Sequence, residues 1–123
     1  MSVTADDVRR LAVSLPRTTE ALVRDSVRWR IKSIVYLALS RDEQTLGFAY
    51  PKEMRDALVA GEPDKFLMPR TSDLRFNWVH ARMARLDIVE LRELVLDAWR
   101  MCVPKKVVAA WEAADGPTTA PFV

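Results

Sequence analysis

The hydrophobic period changes several times along this 123-residue chain, and each change marks an element. Val8, Leu11, Ala12 and Leu15 recur at helical spacing. Thr4 is placed to cap that helix, Asp7 sits at the capping-box position, and Val3 can staple onto Val8. Pro16 ends it. The period then drops to two. Residues 21–23 read as a short strand, and residues 27–31 alternate so that Trp29 and Ile31 point inward while Arg28 and Arg30 point out. Lys32-Ser33 is a tight turn without the usual glycine or asparagine. In residues 34–40, Ile34, Tyr36 and Ala38 fall on one face and Val35, Leu37 and Leu39 on the other. Arg41 to Gln44 is polar enough to turn, and residues 45–50 complete an antiparallel meander. A strand apolar on both faces predicts that part of the second face is covered too.

Pro51 suits the first position of a second helix, with Met54, Ala57 and Leu58 as its apolar face and Gly61 as its C-terminal cap. Residues 65–68 read as a short strand, 70–75 as loop and 76–83 as a long strand. Asp87 caps a strong helix with Ile88, Leu91, Val95, Ala98, Trp99 and Cys102 on one face. Val103-Pro104 breaks it, and a last helix over 104–114 carries Val107, Val108 and Trp111. Gly116-Pro117 closes the ordered part, leaving 117–123 as a loose tail. The expectation is one α+β domain over residues 1–116, an antiparallel sheet packed by helices in the order α, three or four β, α, β, α, α.

Composition narrows this little. Half of the residues are hydrophobic and 29% are charged, an ordinary globular balance. No basic region followed by an apolar run opens the chain, and no apolar run approaches a membrane span. Cys102 alone cannot bridge within the chain, which fits a reducing compartment, so a cytoplasmic location is expected with no membrane partner. The net charge of +2 is a weaker bias than nucleic-acid binders usually show. Its distribution says more. Arg24, Arg28, Arg30 and Lys32 outweigh Asp25, and Lys65, Arg70, Arg75, Arg82 and Arg85 outweigh Asp73, whereas the capped helix from Asp87 onward is acidic.

Several pieces taken together resemble the MmcQ/YjbR family. They are Asp7-Val8-Arg9-Arg10-Leu11-Ala12 with Leu15-Pro16, then Glu20, then Arg28-Trp29-Arg30-Ile31. Asn77-Trp78-Val79-His80-Ala81-Arg82-Met83 follows, and the run from Asp97 through Lys106 completes the set. The resemblance implies a bacterial domain with a fold similar to secretion chaperones. Its members are commonly labelled DNA-binding by analogy with a "double wing" arrangement, and fold does not fix function. Ser33 stands where many relatives have glycine, and Arg24-Asp25-Ser26 replaces a more glycine-rich, aromatic loop.

Three candidate sites emerge. The outward stripe Arg28, Arg30 and Lys32, with neighbours about 6.5–7 Å apart, could meet phosphates. It could equally be a solvated face, or pair across strands with Asp42 or Glu43. Trp78, His80 and Arg82 share a face on which an aromatic ring and a cation could hold a base and a phosphate, provided Val79, Ala81 and Met83 face the core. The inverse register would bury Trp78. Lys105-Lys106 in the first turn of the last helix opposes the helix dipole and favours an anion nearby, although a solvated lysine pair is the commoner arrangement. One histidine and one cysteine make a poor metal set, and no nucleophile elbow or glycine-rich phosphate loop is present. The expectation is a non-enzymatic module without metal or cofactor, a monomer or weak homodimer. It would bind nucleic acid weakly through a basic sheet face; the alternative is a chaperone-like protein-interaction module, and a small-molecule pocket is left unranked.

Overall fold

The computed structural model describes residues 2–114. Helices α1 (Ala5–Val13), α2 (Lys52–Gly61), α3 (Ile88–Cys102) and α4 (Lys105–Ala114) accompany six strands. These are β1 (Thr18–Val23), β2 (Ser26–Ile31), β3 (Ile34–Leu39), β4 (Thr45–Ala49), β5 (Phe66–Leu67) and β6 (Trp78–Arg82). They form one antiparallel sheet in the order β1-β2-β3-β4-β6-β5. The meander runs from β1 to β4, and β6 then lies against β4 with β5 outside it. The α+β class and the order of elements are those the sequence predicts; the expected tail over 117–123 lies outside the described residues.

The helix starts follow the sequence signals. Thr4 Oγ1 accepts from the Asp7 amide at 3.3 Å while Asp7 returns a bond to the Thr4 amide at 2.9 Å. Asp87 and Glu90 repeat this box on α3. Val3, Val8, Ala12 and Leu15 join the core, and α3 buries Leu91, Val95, Leu96, Ala98 and Trp99 against the sheet. Ile88 stands exposed instead, and Leu96, not expected on the inner face, is buried.

Two expectations need correction. The first concerns β3. Trp29 pairs with Leu37 but Arg30 with Val35, so a bulge leaves Tyr36 as an extra residue. Tyr36 and Leu37 therefore both enter the core, each at 0% exposure. The bulge shifts the alternation by one, so no second apolar layer is needed. Tyr36 is accommodated because its hydroxyl meets Thr18 Oγ1 at 2.7 Å; burial pushes its pKa up to about 12. The second concerns α2, where Met54 is exposed and Arg55 buried. Arg55 holds that inward position by hydrogen bonds that a methionine cannot make.

The hairpin joining β1 to β2 is made without glycine. Val23 pairs with Ser26, and the two residues between them, Arg24 and Asp25, have φ of 51° and 65°. That is the pattern of a type I′ turn, which favours Asn-Gly because left-handed backbone costs an ordinary residue about 1 kcal/mol or more. Replacing Arg24-Asp25 by Asn-Gly is expected to raise stability by about 1 kcal/mol in denaturant unfolding. The bond from Arg41 Nε to this turn ends on the Arg24 carbonyl, so the replacement keeps it.

Candidate functional site

Helices α1 and α3 pack on one face of the sheet; the other is largely open, and of α3 only Met101 and Cys102 border the groove on it. One row of paired residues crosses that open face through all six strands: Ala21, Arg28, Ala38, Gly47, His80 and Leu67. Val79 and Ala81 are fully buried and Met83 nearly so, which turns Trp78, His80 and Arg82 outward. Of the two registers open from sequence, the structure adopts the one that exposes this triplet. Arg28 and Arg30 lie on the same face, with Lys32 in the exposed turn beyond them.

They do not form one continuous basic strip. Between Arg28 and His80 lie two strands carrying Ala38 and Gly47, a separation of about 14 Å. Arg82 pairs with Thr45 at one end of the sheet and Arg30 with Val35 at the other. Those two cations are about 20 Å apart. No ion pair to Asp42 or Glu43 forms from Arg28, Arg30 or Lys32 among the described residues. Lys105 and Lys106 stand in the helical layer, where Trp111 of α4 packs edge-on against Trp99 at 5.3 Å, and they do not border the open face.

What the open face holds is a groove of about 1050 Å³. Arg28 borders it on the β2 side and His80 and Trp78 on the β6 side, over a floor of Ala38 and Ala49. The segment between β5 and β6 adds Arg70, Asp73, Phe76 and Asn77 as a wall, while Arg24 and Arg41 stand at one end. Four arginines thus face one carboxylate. From the sequence, Arg24 and Arg70 count toward local charge without belonging to a site, and Phe76 opens the strand expected over 76–83; it precedes β6 instead. Nothing in the sequence announces that residues 70–77 fold back beside β6.

Trp78 owes its position to Gly47. A Cβ there would come within 2.6 Å of the Trp78 ring, so the indole covers bare β4 backbone. His80 meets it edge-on at 6.3 Å. Phe76 is half exposed and carries the Arg75 guanidinium over its ring at 4.7 Å. Arg28 is half-buried, and its Nε is shielded from solvent with no acceptor among the described residues. The groove therefore offers aromatic faces, guanidinium groups and one buried donor without a partner.

Burial holds the His80 imidazole below its ordinary value of 6.5; Asp73 pulls it up and Arg70 pushes it further down. It is neutral at pH 7. The unfolded chain then binds a proton more readily than the native one, so stability rises with pH between the folded value and 6.5. Acidification from pH 7.5 to below 6 is expected to destabilise the native protein more than a His80→Gln variant. Urea midpoints of both proteins across that range check the sign, and parallel curves would refute it.

Other chemistry is sparse. Cys102 is half-buried and burial pushes its thiol up, so it is protonated at neutral pH. Among the described residues no cluster of three His, Cys, Asp or Glu could hold a metal ion, and no helix is long and apolar enough to cross a membrane.

An α+β domain with one helix-covered and one open sheet face defines the class. The YjbR family model matches residues 13–101, and the chain belongs to that family. It is 29% identical over 131 residues to uncharacterized proteins of Mycobacterium bovis and Mycobacterium tuberculosis, covering 92% of this chain and 98% of each relative. A crystal structure of the Deinococcus radiodurans protein DR2400, a DUF419 domain, is similar with a TM-score of 0.69. That match covers 94% of this chain and 83% of the other at 18% identity, a likeness of fold alone.

Proposed function

We propose that this protein is a binding module, not an enzyme, whose open sheet face holds single-stranded nucleic acid. One observation carries the reading: a single groove, which α3 borders only through Met101 and Cys102, brings Arg28 and Arg70 together with Trp78 and Phe76. Guanidinium groups suit phosphates, and aromatic faces stack on bases only when those bases are unpaired. A duplex keeps its base faces hidden, so the preference is for single strands. Arg28 and Arg70 would contact the backbone and Trp78 a base, with His80 packed beside it. Arg30, Lys32, Arg82, Lys105 and Lys106 lie outside this groove and are assigned no contact.

The test is fluorescence anisotropy with labelled single-stranded and duplex oligonucleotides between about 50 and 200 mM salt. With three or four phosphates neutralised, log K against log salt should fall with a slope of about −2 to −3 on single strands. Joint replacement of Arg28 and Arg70 by alanine should flatten that slope by about 1.4. Trp78→Ala should weaken binding by about tenfold with the slope unchanged, since stacking contributes about 1–3 kcal/mol per base. Replacing Lys105 and Lys106 should change nothing. Absence of binding to either oligonucleotide at low salt would end the proposal. The chaperone-like alternative rests on Ile34, Phe76 and Met101, exposed apolar residues bordering the same groove. Salt-tolerant capture of a protein without oligonucleotide binding would favour it.

A further inference from the structure

The sheet has two edges, and they differ. β5 is two residues long, runs toward Pro69, and is flanked by α2 and by Lys65, which bridges Glu62 and Glu90. β1 is six residues long and has no neighbour on its outer side among the described residues. Natural edges are usually blunted by proline, lysine, a bulge or a covering element. Thr18–Val23 has none of these, and its one charge, Glu20, is taken up by Arg9 and Trp29 of the same chain.

The hairpin decides which backbone groups are free. A two-residue turn closes on a doubly hydrogen-bonded pair, here Val23 with Ser26. Alternation then makes Ala21–Arg28 and Thr19–Arg30 the other bonded pairs. The N–H and C=O of Glu20 and Leu22 consequently point away from the sheet. These two residues flank Ala21, and that spacing is self-complementary. A second copy related by a two-fold axis at Ala21 sets Glu20 against Leu22 of the second copy and Leu22 against its Glu20. All four outward groups on each strand are then paired. Ala21 faces its own counterpart where strands approach to about 4.5 Å between Cα atoms, which suits a methyl side chain.

We propose that this chain forms a homodimer by antiparallel pairing of β1 with β1 of a second copy. Charge fits as well as geometry. Glu20 is the only charged residue on the strand, and Arg9 already neutralises it at 3.0 Å. In the two-fold register it faces a leucine, so no like charges lie directly opposite. Leu22, 70% exposed in the single chain, gains cover. The axis is perpendicular to the sheet, so both open grooves face the same side of a twelve-stranded sheet. The shared area is small, so the dimer is weak, with a dissociation constant of about tens of micromolar.

Sedimentation equilibrium at protein concentrations from about 10 to about 500 µM tests this without nucleic acid present. The apparent mass should climb from one chain toward two. Leu22→Pro removes an outward N–H and leaves the bonds to β2 intact. Ala21→Lys sets two cations against each other across the axis. Each should weaken association by at least about tenfold while circular dichroism stays native. The Glu20 and Leu22 amides should exchange slowly in the dimer and fast on dilution. A chain that stays monomeric with both amides unprotected overturns the proposal and leaves the edge to a strand from another protein. A dimer indifferent to both variants overturns it too.

Discussion

Replacing Arg55 by alanine is expected to lower the unfolding free energy by about 3 kcal/mol and the melting temperature by about 10 °C. Among the described residues Arg55 is the one buried charged residue, at 6% exposure. Its Nη1 donates to the carbonyls of Phe76 at 3.0 Å and Trp78 at 3.1 Å, and Nη2 to that of Leu74 at 2.9 Å. One side chain on α2 therefore ties down the stretch that leads into β6. Without it, three carbonyls lose a charged donor in a site with little water, at a cost of about 1–3 kcal/mol for each one left unsatisfied. Relaxation of the segment recovers part of this. Arg55→Lys should keep less than half of the stability, since an ammonium cannot reproduce the planar fork. Because the same stretch walls the groove, oligonucleotide affinity should fall with stability. A loss under about 1 kcal/mol in urea unfolding would show that the three bonds are dispensable.

Arg55 also shows why part of the molecule was not legible. An arginine beside Met54 in an amphipathic helix reads as solvent-facing, and its partners are backbone carbonyls, which leave no mark in a sequence. The bulge at Tyr36 is hidden for a similar reason: it depends on pairing between strands, so strict alternation placed Tyr36 and Leu37 on opposite faces. Local signals fared better. The Thr4–Asp7 box and the Asp87 cap are each complete within four residues and appear as expected, and Glu90 adds the return bond that makes the second a box as well.

Several residues that carry the family resemblance turn out to hold the fold. Trp29 Nε1 donates to Glu20 at 2.9 Å, and Glu20 also receives Arg9, so three of the matching pieces meet in one bond network. Trp99 Nε1 donates to the Pro16 carbonyl at 2.9 Å, linking the late run to Leu15-Pro16. A buried indole needs such an acceptor, and these residues supply it. The Arg28, Trp78 and His80 side chains have no comparable duty to the core, and the groove lies where they meet.

Gly47→Ala tests the groove from beneath. A methyl group at Gly47 would sit 2.6 Å from Cζ2 and 2.8 Å from Cε2 and Nε1 of Trp78, closer than packing permits. Neighbouring β4 is held on both sides by hydrogen-bonded strands, so the indole must move. It can swing only toward solvent, giving up its cover and its edge contact with His80. The expected cost is about 1–2 kcal/mol. Trp29 and Trp99 are buried at 1% and 0%, and half-buried Trp111 packs on Trp99 in the helical layer, outside the groove, so a red shift in emission would report chiefly on Trp78. Oligonucleotide binding should fall about as far as in Trp78→Ala, although residue 47 would touch no ligand. The sharper result comes from combining the changes. With Trp78 already alanine, the three atoms nearest the new methyl group are gone, and Gly47→Ala should become neutral or stabilising by about 0.5–1 kcal/mol through the loss of glycine's backbone freedom. The sign reversal isolates the clash from any intrinsic preference of the strand. Equal destabilisation in both backgrounds would mean that Gly47 serves the backbone of β4 and not the placement of Trp78.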